Sequence, residues 1–243
     1  TANLNVTSGN AGLFAKTGSG AKILNLVVNA QVTSSVASSS YGTGGLVGQI
    51  YGPTTIENCG VKGEVNNTST STYSPVYIGG IVGYLSDSLT IRNSFSSAGI
   101  KASSGSSSSS SGGLVGKGGS YSITAENCYA TGEVTGKYYV GGLVGYGTAS
   151  SYNPHTYINV YTAVQVTGDK AYALAYNSNA NYCTMNNCYY DNSNAKAFNG
   201  KQEGITGKSS AELKGLATAL GDAFQDDKTN LNNGYPILDW QYI

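Results

Sequence analysis

The 243 residues carry thirteen basic and thirteen acidic side chains, a formal net charge of zero, and only 11% of the chain is charged. That balance leaves no basic footprint for nucleic acid or an anionic membrane surface, and no apolar run approaches the roughly 18 residues that a membrane span needs. Thirty-four Gly, twenty Tyr and only four Pro on a background rich in Ser, Thr and Asn describe strands joined by tight bends.

Residues 1–30 lack a charged segment followed by an apolar one, so no secretion signal is expected there. Thr1 to Asn10 also offers no cover for a sheet edge, which suggests that another domain precedes it in a longer parent. From residue 11 a repeat begins. The string Gly-Gly-Leu/Ile-Val-Gly stands at 44–48, 79–83, 112–116 and 141–145, with blurred copies at 11–15 and 172–176. A second landmark follows each copy: Asn25, Asn58, Asn93, Asn127, Asn159 and Asn187, spaced by 28 to 35 residues. Two positions before these asparagines, and seven after most of them, the columns are largely apolar. The clearest copy, Asn127-Cys-Tyr-Ala-Thr-Gly-Glu-Val134, alternates with period two, as a half-buried strand does.

Short strands, Gly-rich bends and no recurrent helix at this period predict an all-β fold, a right-handed parallel β-solenoid (β-helix) of about six coils spanning residues 1–208. Each coil is expected to hold three strands. The six asparagines are expected at a bend, where each amide bonds the equivalent amide above and below, forming a structural ladder. Gly-Gly-Leu-Val-Gly followed by Asn-Cys-Tyr-Ala-Thr-Gly-Glu-Val resembles the GLUG-motif repeats of bacterial secreted and cell-surface proteins. The resemblance covers about residues 11–190, with four sharp copies and two worn ones. It implies a parallel β-solenoid outside the cell, in adhesin-like proteins and in the non-catalytic region of IgA1-protease-type metallopeptidases. It transfers no catalytic residue. The zinc-peptidase signature His-Glu-x-x-His is absent, and His155 is the only histidine.

After the repeats, Leu213, Leu216, Leu220 and Phe224 recur at helical spacing, and Ser209 with Glu212 fits a capping box. Residues 209–243 are therefore expected to cap the solenoid, with an amphipathic helix over 209–224 and a terminal strand over 235–241. A similar ending, Asn-Gly-Tyr-Pro before an apolar tail and Trp, often closes GLUG-type arrays.

Cys59, Cys128 and Cys188 share one inward column but never adjacent coils, which places them too far apart for disulfides and reads as buried free thiols. Cys183 and Cys188 are close enough in sequence that their pairing stays open. No metal site and no cofactor is expected. Glu57, Arg92 and Glu126 stack at one-coil spacing and read as a surface ion-pair ladder.

Two residues after the asparagines stand Phe95, Tyr129, Tyr161 and Tyr189, in phase with the outer face. Tyr84, Tyr146 and Tyr176 form a second, interrupted column. Rows of rings are surfaces on which sugars stack, and they also stabilise sheets without binding anything. The segments 66–76, 101–111 and 147–156 read as insertions that project at one corner, the poly-Ser one as flexible. The reading is a non-catalytic extracellular binding or adhesion module of a bacterial surface protein. Its ligand would be a glycan or a host or extracellular-matrix protein, and it is not expected to be an enzyme. The alternative is a structural spacer or stalk in a larger secreted enzyme such as a metallopeptidase.

Overall fold

Each Gly-Gly-Leu/Ile-Val-Gly copy makes a sharp corner between two short strands, and its glycines are there because other backbone comes too close for a side chain. A Cβ on Gly112 would lie 2.0 Å from the Val115 carbonyl oxygen, and one on Gly113 2.0 Å from that of Gly142 in the next turn. The expected second and third strands of each coil are a single strand bent at its asparagine, as in Thr54–Asn67, Ile123–Thr135 and His155–Thr167. In the third turn this strand is interrupted, as Leu89–Ser96 and Gly99–Ala102.

These segments stack in parallel register into two sheets, so the chain is a parallel β-solenoid. The computed structural model describes residues 1–193, 195–200 and 203–242, the side chain of Tyr242 excepted. Six asparagine landmarks bound five complete turns. One sheet, here the asparagine sheet, runs from Ala2–Val6 to Ile205–Lys208; the other, the glycine sheet, holds the short strands. Between them lies one apolar core. Both the Leu or Ile and the Val of each sharp Gly-Gly copy are buried, Leu46 and Val47 among them, whereas Leu13, in the first turn, is 40% exposed.

All six asparagines have φ between 44° and 56°, the left-handed region that Asn tolerates and most L residues resist. Asn58 Nδ2 donates to Asn25 Oδ1 at 3.0 Å, Asn127 to Asn93 at 3.0 Å, Asn159 to Asn127 at 2.9 Å and Asn187 to Asn159 at 2.9 Å. No bond joins the Asn58 and Asn93 amides among the described residues. Asn127→Ala should cost about 3 kcal/mol, from left-handed strain of about 1 and two lost ladder hydrogen bonds of about 1 each. Asn127→Gly relieves the strain and should cost about 2 kcal/mol in urea unfolding. Equal losses would remove backbone strain from the account.

The residue after four of the six asparagines has a related task; Leu26 and Val160, after the other two, are apolar. The thiols of Cys59, Cys128 and Cys188 donate to the carbonyls of Glu57, Glu126 and Asn186 at 3.2, 3.2 and 3.5 Å, and the Ser94 hydroxyl does the same to Arg92 at 2.6 Å. All four cysteines are free. Cys183 and Cys188 lie on one strand, Cys183–Asp191, too far apart along extended chain to pair. Burial pushes the Cys128 and Cys188 thiols up to about 12, so neither supplies a thiolate at neutral pH.

Two expectations about the loops are corrected. The poly-Ser segment is ordered: Ser104, Ser106, Ser109, Ser110 and Ser111 are buried. Ser104 Oγ bonds the Ser71 carbonyl and Ser109 Oγ, both at 3.0 Å, and the Val76 amide donates to Ser109 Oγ at 3.0 Å. Hydroxyls within the segment bond one another and also bond the backbone of the preceding turn. Nor does 147–156 share a corner with 66–76 and 101–111. It lies between Val144–Gly147 and His155–Thr167 within one turn, and His155 is buried.

The C-terminal segment also departs from expectation. The capping box forms: the Glu212 amide donates to Ser209 Oγ at 3.3 Å, and the Ser209 amide to Glu212 Oε2 at 2.8 Å. The helix is however two short pieces, Ser210–Lys214 and Ala217–Leu220, parted at Gly215, a poor helix former that favours helix ends. The predicted terminal strand shortens to Ile237–Leu238 and pairs antiparallel with Phe224–Gln225, not with the solenoid. A 3-10 turn, Asp239–Tyr242, follows. The segment runs back along the outer side of the asparagine sheet: Asn187 Nδ2 donates to the Ala219 carbonyl at 2.7 Å, and Trp240 Nε1 to the Asn93 carbonyl at 2.9 Å.

Candidate functional site

The row Phe95, Tyr129, Tyr161, Tyr189 points away from the solenoid core, as its phase requires. Phe95 and Tyr129 stack at 5.0 Å between centroids, and Tyr129 and Tyr161 at 5.1 Å. Its first three rings are closed to solvent, and Tyr189 is half-buried. Leu213, Leu216, Leu220, Phe224 and Leu238 close over it in a second apolar cluster, and Phe95, Tyr129 and Tyr161 are at most 1% exposed. The Tyr129 and Tyr161 hydroxyls are committed to this roof, whereas Tyr189 OH donates to Asn187 Oδ1 at 2.8 Å. Tyr129 OH donates to Gln241 Oε1 at 3.0 Å; Tyr161 OH donates to the Pro236 carbonyl and accepts from Asn232 Nδ2 at 2.8 Å. Thr131 Oγ1 donates to Asn232 Oδ1 at 2.8 Å. Burial pushes the Tyr129 and Tyr161 phenols far above their ordinary range. An open platform of rings at these positions is therefore corrected to a buried seam between rod and cap, because an apolar row on an outer face must be covered.

Asp227, in the polar turn, accepts the amides of Leu231, Asn232 and Gly234 at 2.7 to 3.0 Å. Its carboxylate folds the turn. Among the described residues no three His, Cys, Asp or Glu side chains gather as metal ligands. Arg92 Nε meets Glu126 Oε2 at 3.1 Å with both side chains over a third exposed, a pair worth little. Glu64 and Glu133 line a concavity on the asparagine sheet, and both are exposed.

The second column has the opposite fate. Tyr84 and Tyr146 belong to the outer face of the glycine sheet, which the cap does not reach, and both are half-buried. Strand register sets Tyr84, Lys117 and Tyr146 side by side on successive turns, so the interruption of the tyrosine column is a lysine. A parallel column, Tyr77, Ser110, Tyr139 and Lys170, runs beside it. Rings from the two columns meet: Tyr77 and Tyr84 at 5.2 Å, Tyr139 and Tyr146 at 4.7 Å, Tyr139 and Tyr176 at 4.6 Å. Tyr138 and Tyr172 extend the cluster at 4.6 and 5.6 Å.

The lysines are part of this face. Lys117 Nζ donates to Tyr77 OH at 2.7 Å and sits 4.0 Å from the centre of its ring, and burial lowers its pKa. Lys170 Nζ lies 4.8 to 5.5 Å from the rings of Tyr138, Tyr139 and Tyr176. Ser110, between the Tyr77 and Tyr139 strands, is buried, and its hydroxyl has no hydrogen-bond partner. Periodicity alone singles out Tyr84, Tyr146 and Tyr176. It misses Tyr77, Tyr139 and Lys170, although each stands two residues before the first of the paired glycines or its equivalent, and that offset was a readable signal.

Comparison with known proteins agrees with this architecture. The family model described as the GLUG motif matches residues 39–66, a stretch with one Gly-Gly-Leu-Val-Gly copy and Asn58. No curated protein matches the chain. A crystal structure from Bacteroides ovatus, described as a putative immunoglobulin A1 protease, is similar with a TM-score of 0.61 and 24% identity, covering 98% of this chain and 74% of that one. At that identity the likeness is one of fold. The chain thus carries the GLUG motif, set within a parallel β-solenoid built from repeats of the same pattern.

Proposed function

We propose that this chain is a non-catalytic, extracellular binding module of a larger bacterial surface protein, and that it holds a glycan along the outer face of the glycine sheet. The supporting observation is the half-buried cluster around Tyr139, Tyr146 and Tyr176, an aromatic surface that the chain itself leaves uncovered. Rings held by neighbours offer apolar faces at little entropic cost, and their hydroxyls offer donors and acceptors, the mixture that sugar rings and their hydroxyls require. Successive turns repeat every roughly 4.8 Å, so an extended polymer would meet equivalent groups again and again. Localisation outside the cell rests on the GLUG motif. No helix among the described residues is long and apolar enough to cross a membrane.

Screening the purified chain on a glycan and extracellular-matrix array tests this. Tyr146→Ala with Tyr176→Ala should lower retention at least tenfold, the scale of an aromatic contact worth more than about 1 kcal/mol, with a far smaller effect on thermal stability than changes at the buried row. A reproducible hit that both variants keep would move the site elsewhere. The roofed Phe95–Tyr189 row favours a second reading, a spacer or stalk in a larger secreted enzyme, since its rings are spent on rigidity. A blank array would favour that one.

A further inference from the structure

The strands of the glycine sheet contain four lysines, Lys16, Lys117, Lys170 and Lys196, and no Asp or Glu. In a chain with thirteen charges of each sign, that is a separation of charge onto one face. The asparagine sheet shows the contrast: its strands carry Glu57, Glu64, Glu126, Glu133 and Asp191 among their basic residues. Asp169, next to Lys170, is already held by Lys137 at 3.2 Å. Asp87, beyond Tyr84, accepts the Ser88 amide at 2.7 Å.

Resting on the binding function proposed above, we infer that the ligand of this face is an acidic polysaccharide, a pyranose chain bearing carboxylate or sulfate groups. The geometry supplies both halves of such recognition. Tyr139, Tyr146 and Tyr176 present ring faces to the sugars. Lys117 and Lys170 stand within the same cluster, each ammonium against aromatic rings with no carboxylate partner among the described residues, and a cation held in that way still attracts an anion. Lys117 is half-buried, and desolvation disfavours its charged form. An anion set beside it would relieve that cost. A neutral glycan would instead leave the Lys117 charge to be desolvated further, without compensation.

Affinity electrophoresis of the intact chain tests this with three polymers: polygalacturonate for carboxylate, dextran sulfate for sulfate, and unmodified dextran as the neutral control. One or both acidic polymers should retard the protein at least tenfold more strongly than dextran, and retardation should fall as salt rises. The double variant Lys117→Met, Lys170→Gln should lose about tenfold of that binding while its circular dichroism and melting stay near those of the parent. Preference for carboxylate over sulfate, or the reverse, identifies the source of the anion. Equal binding to dextran overturns the inference and leaves a neutral-glycan module standing, and acidic binding unchanged in the double variant overturns it by moving the acidic site away from Lys117 and Lys170. Failure of all three polymers, together with a blank glycan array, overturns both.

Discussion

Tyr161→Ala is expected to detach the C-terminal segment from the rod. The ring lies fully buried in the stacked row, against Tyr129 on one side and Phe224 on the other, and its hydroxyl ties the cap through the Pro236 carbonyl and Asn232. Emptying an aromatic site in a closed interior costs about 3–5 kcal/mol. The loss falls on one interface, since the solenoid core on the other face of the sheet keeps its own contacts. The variant should retain its far-ultraviolet β signal while limited proteolysis cuts between 209 and 243. Tyr161→Phe keeps the ring and removes the hydroxyl, leaving Asn232 short of a partner, for about 1–3 kcal/mol. If Tyr161→Ala melts as the parent does and its cap stays protected, the aromatic seam is not what holds the cap.

Acid should weaken the fold well before its carboxylates titrate. His155 is wholly buried. Asn177 Nδ2 lies 2.9 Å from Nδ1, and the Tyr121 carbonyl oxygen 3.1 Å from Nε2. Asn177 can only donate, so the proton is assigned to Nε2 and the ring is neutral. Burial lowers its pKa to about 4, partly opposed by the bond to Tyr121. The unfolded histidine binds a proton near pH 6.5. Between these values the unfolded state holds more protons than the folded one, so stability is full above about pH 6.5 and falls as pH drops toward 4, by on the order of 2–3 kcal/mol. No charged side chain bonds the ring, so salt should change this little. His155→Gln should be less stable at pH 7 but nearly flat from pH 6.5 to 4.5 in urea midpoints. A parent protein equally stable at pH 7 and 4.5 would show that the ring protonates without cost.

The two tyrosine columns show how far a candidate site can be read from residue order. Phase puts Phe95, Tyr129 and Tyr161 on an outer face, where the structure also has them, because side-chain direction follows from strand alternation within a few residues. Which face stays open is another matter. Tyr129 is covered by Gln241, 112 positions away, and Thr131 by Asn232, 101 positions away. Tyr84 and Tyr146 gained weight for a similar reason, since Tyr77 and Tyr139 meet them from a parallel column across the corner of the turn.

The amino-acid sequence by itself determined the repeat, the parallel stacking, the asparagine bends and the buried cysteine column. Each is a local demand renewed about every 30 residues: a left-handed residue that Asn tolerates, a close approach that only Gly permits, an alternation that buries one face. Repetition makes such demands visible without coordinates. Only the tertiary structure decided that the helix breaks at Gly215, that the C-terminal segment lies along the rod over Phe95, Tyr129 and Tyr161, and that the poly-Ser segment is ordered. These depend on what single, unrepeated segments find when they reach a surface, where burial of apolar area and pairing of stranded polar groups outweigh local preference.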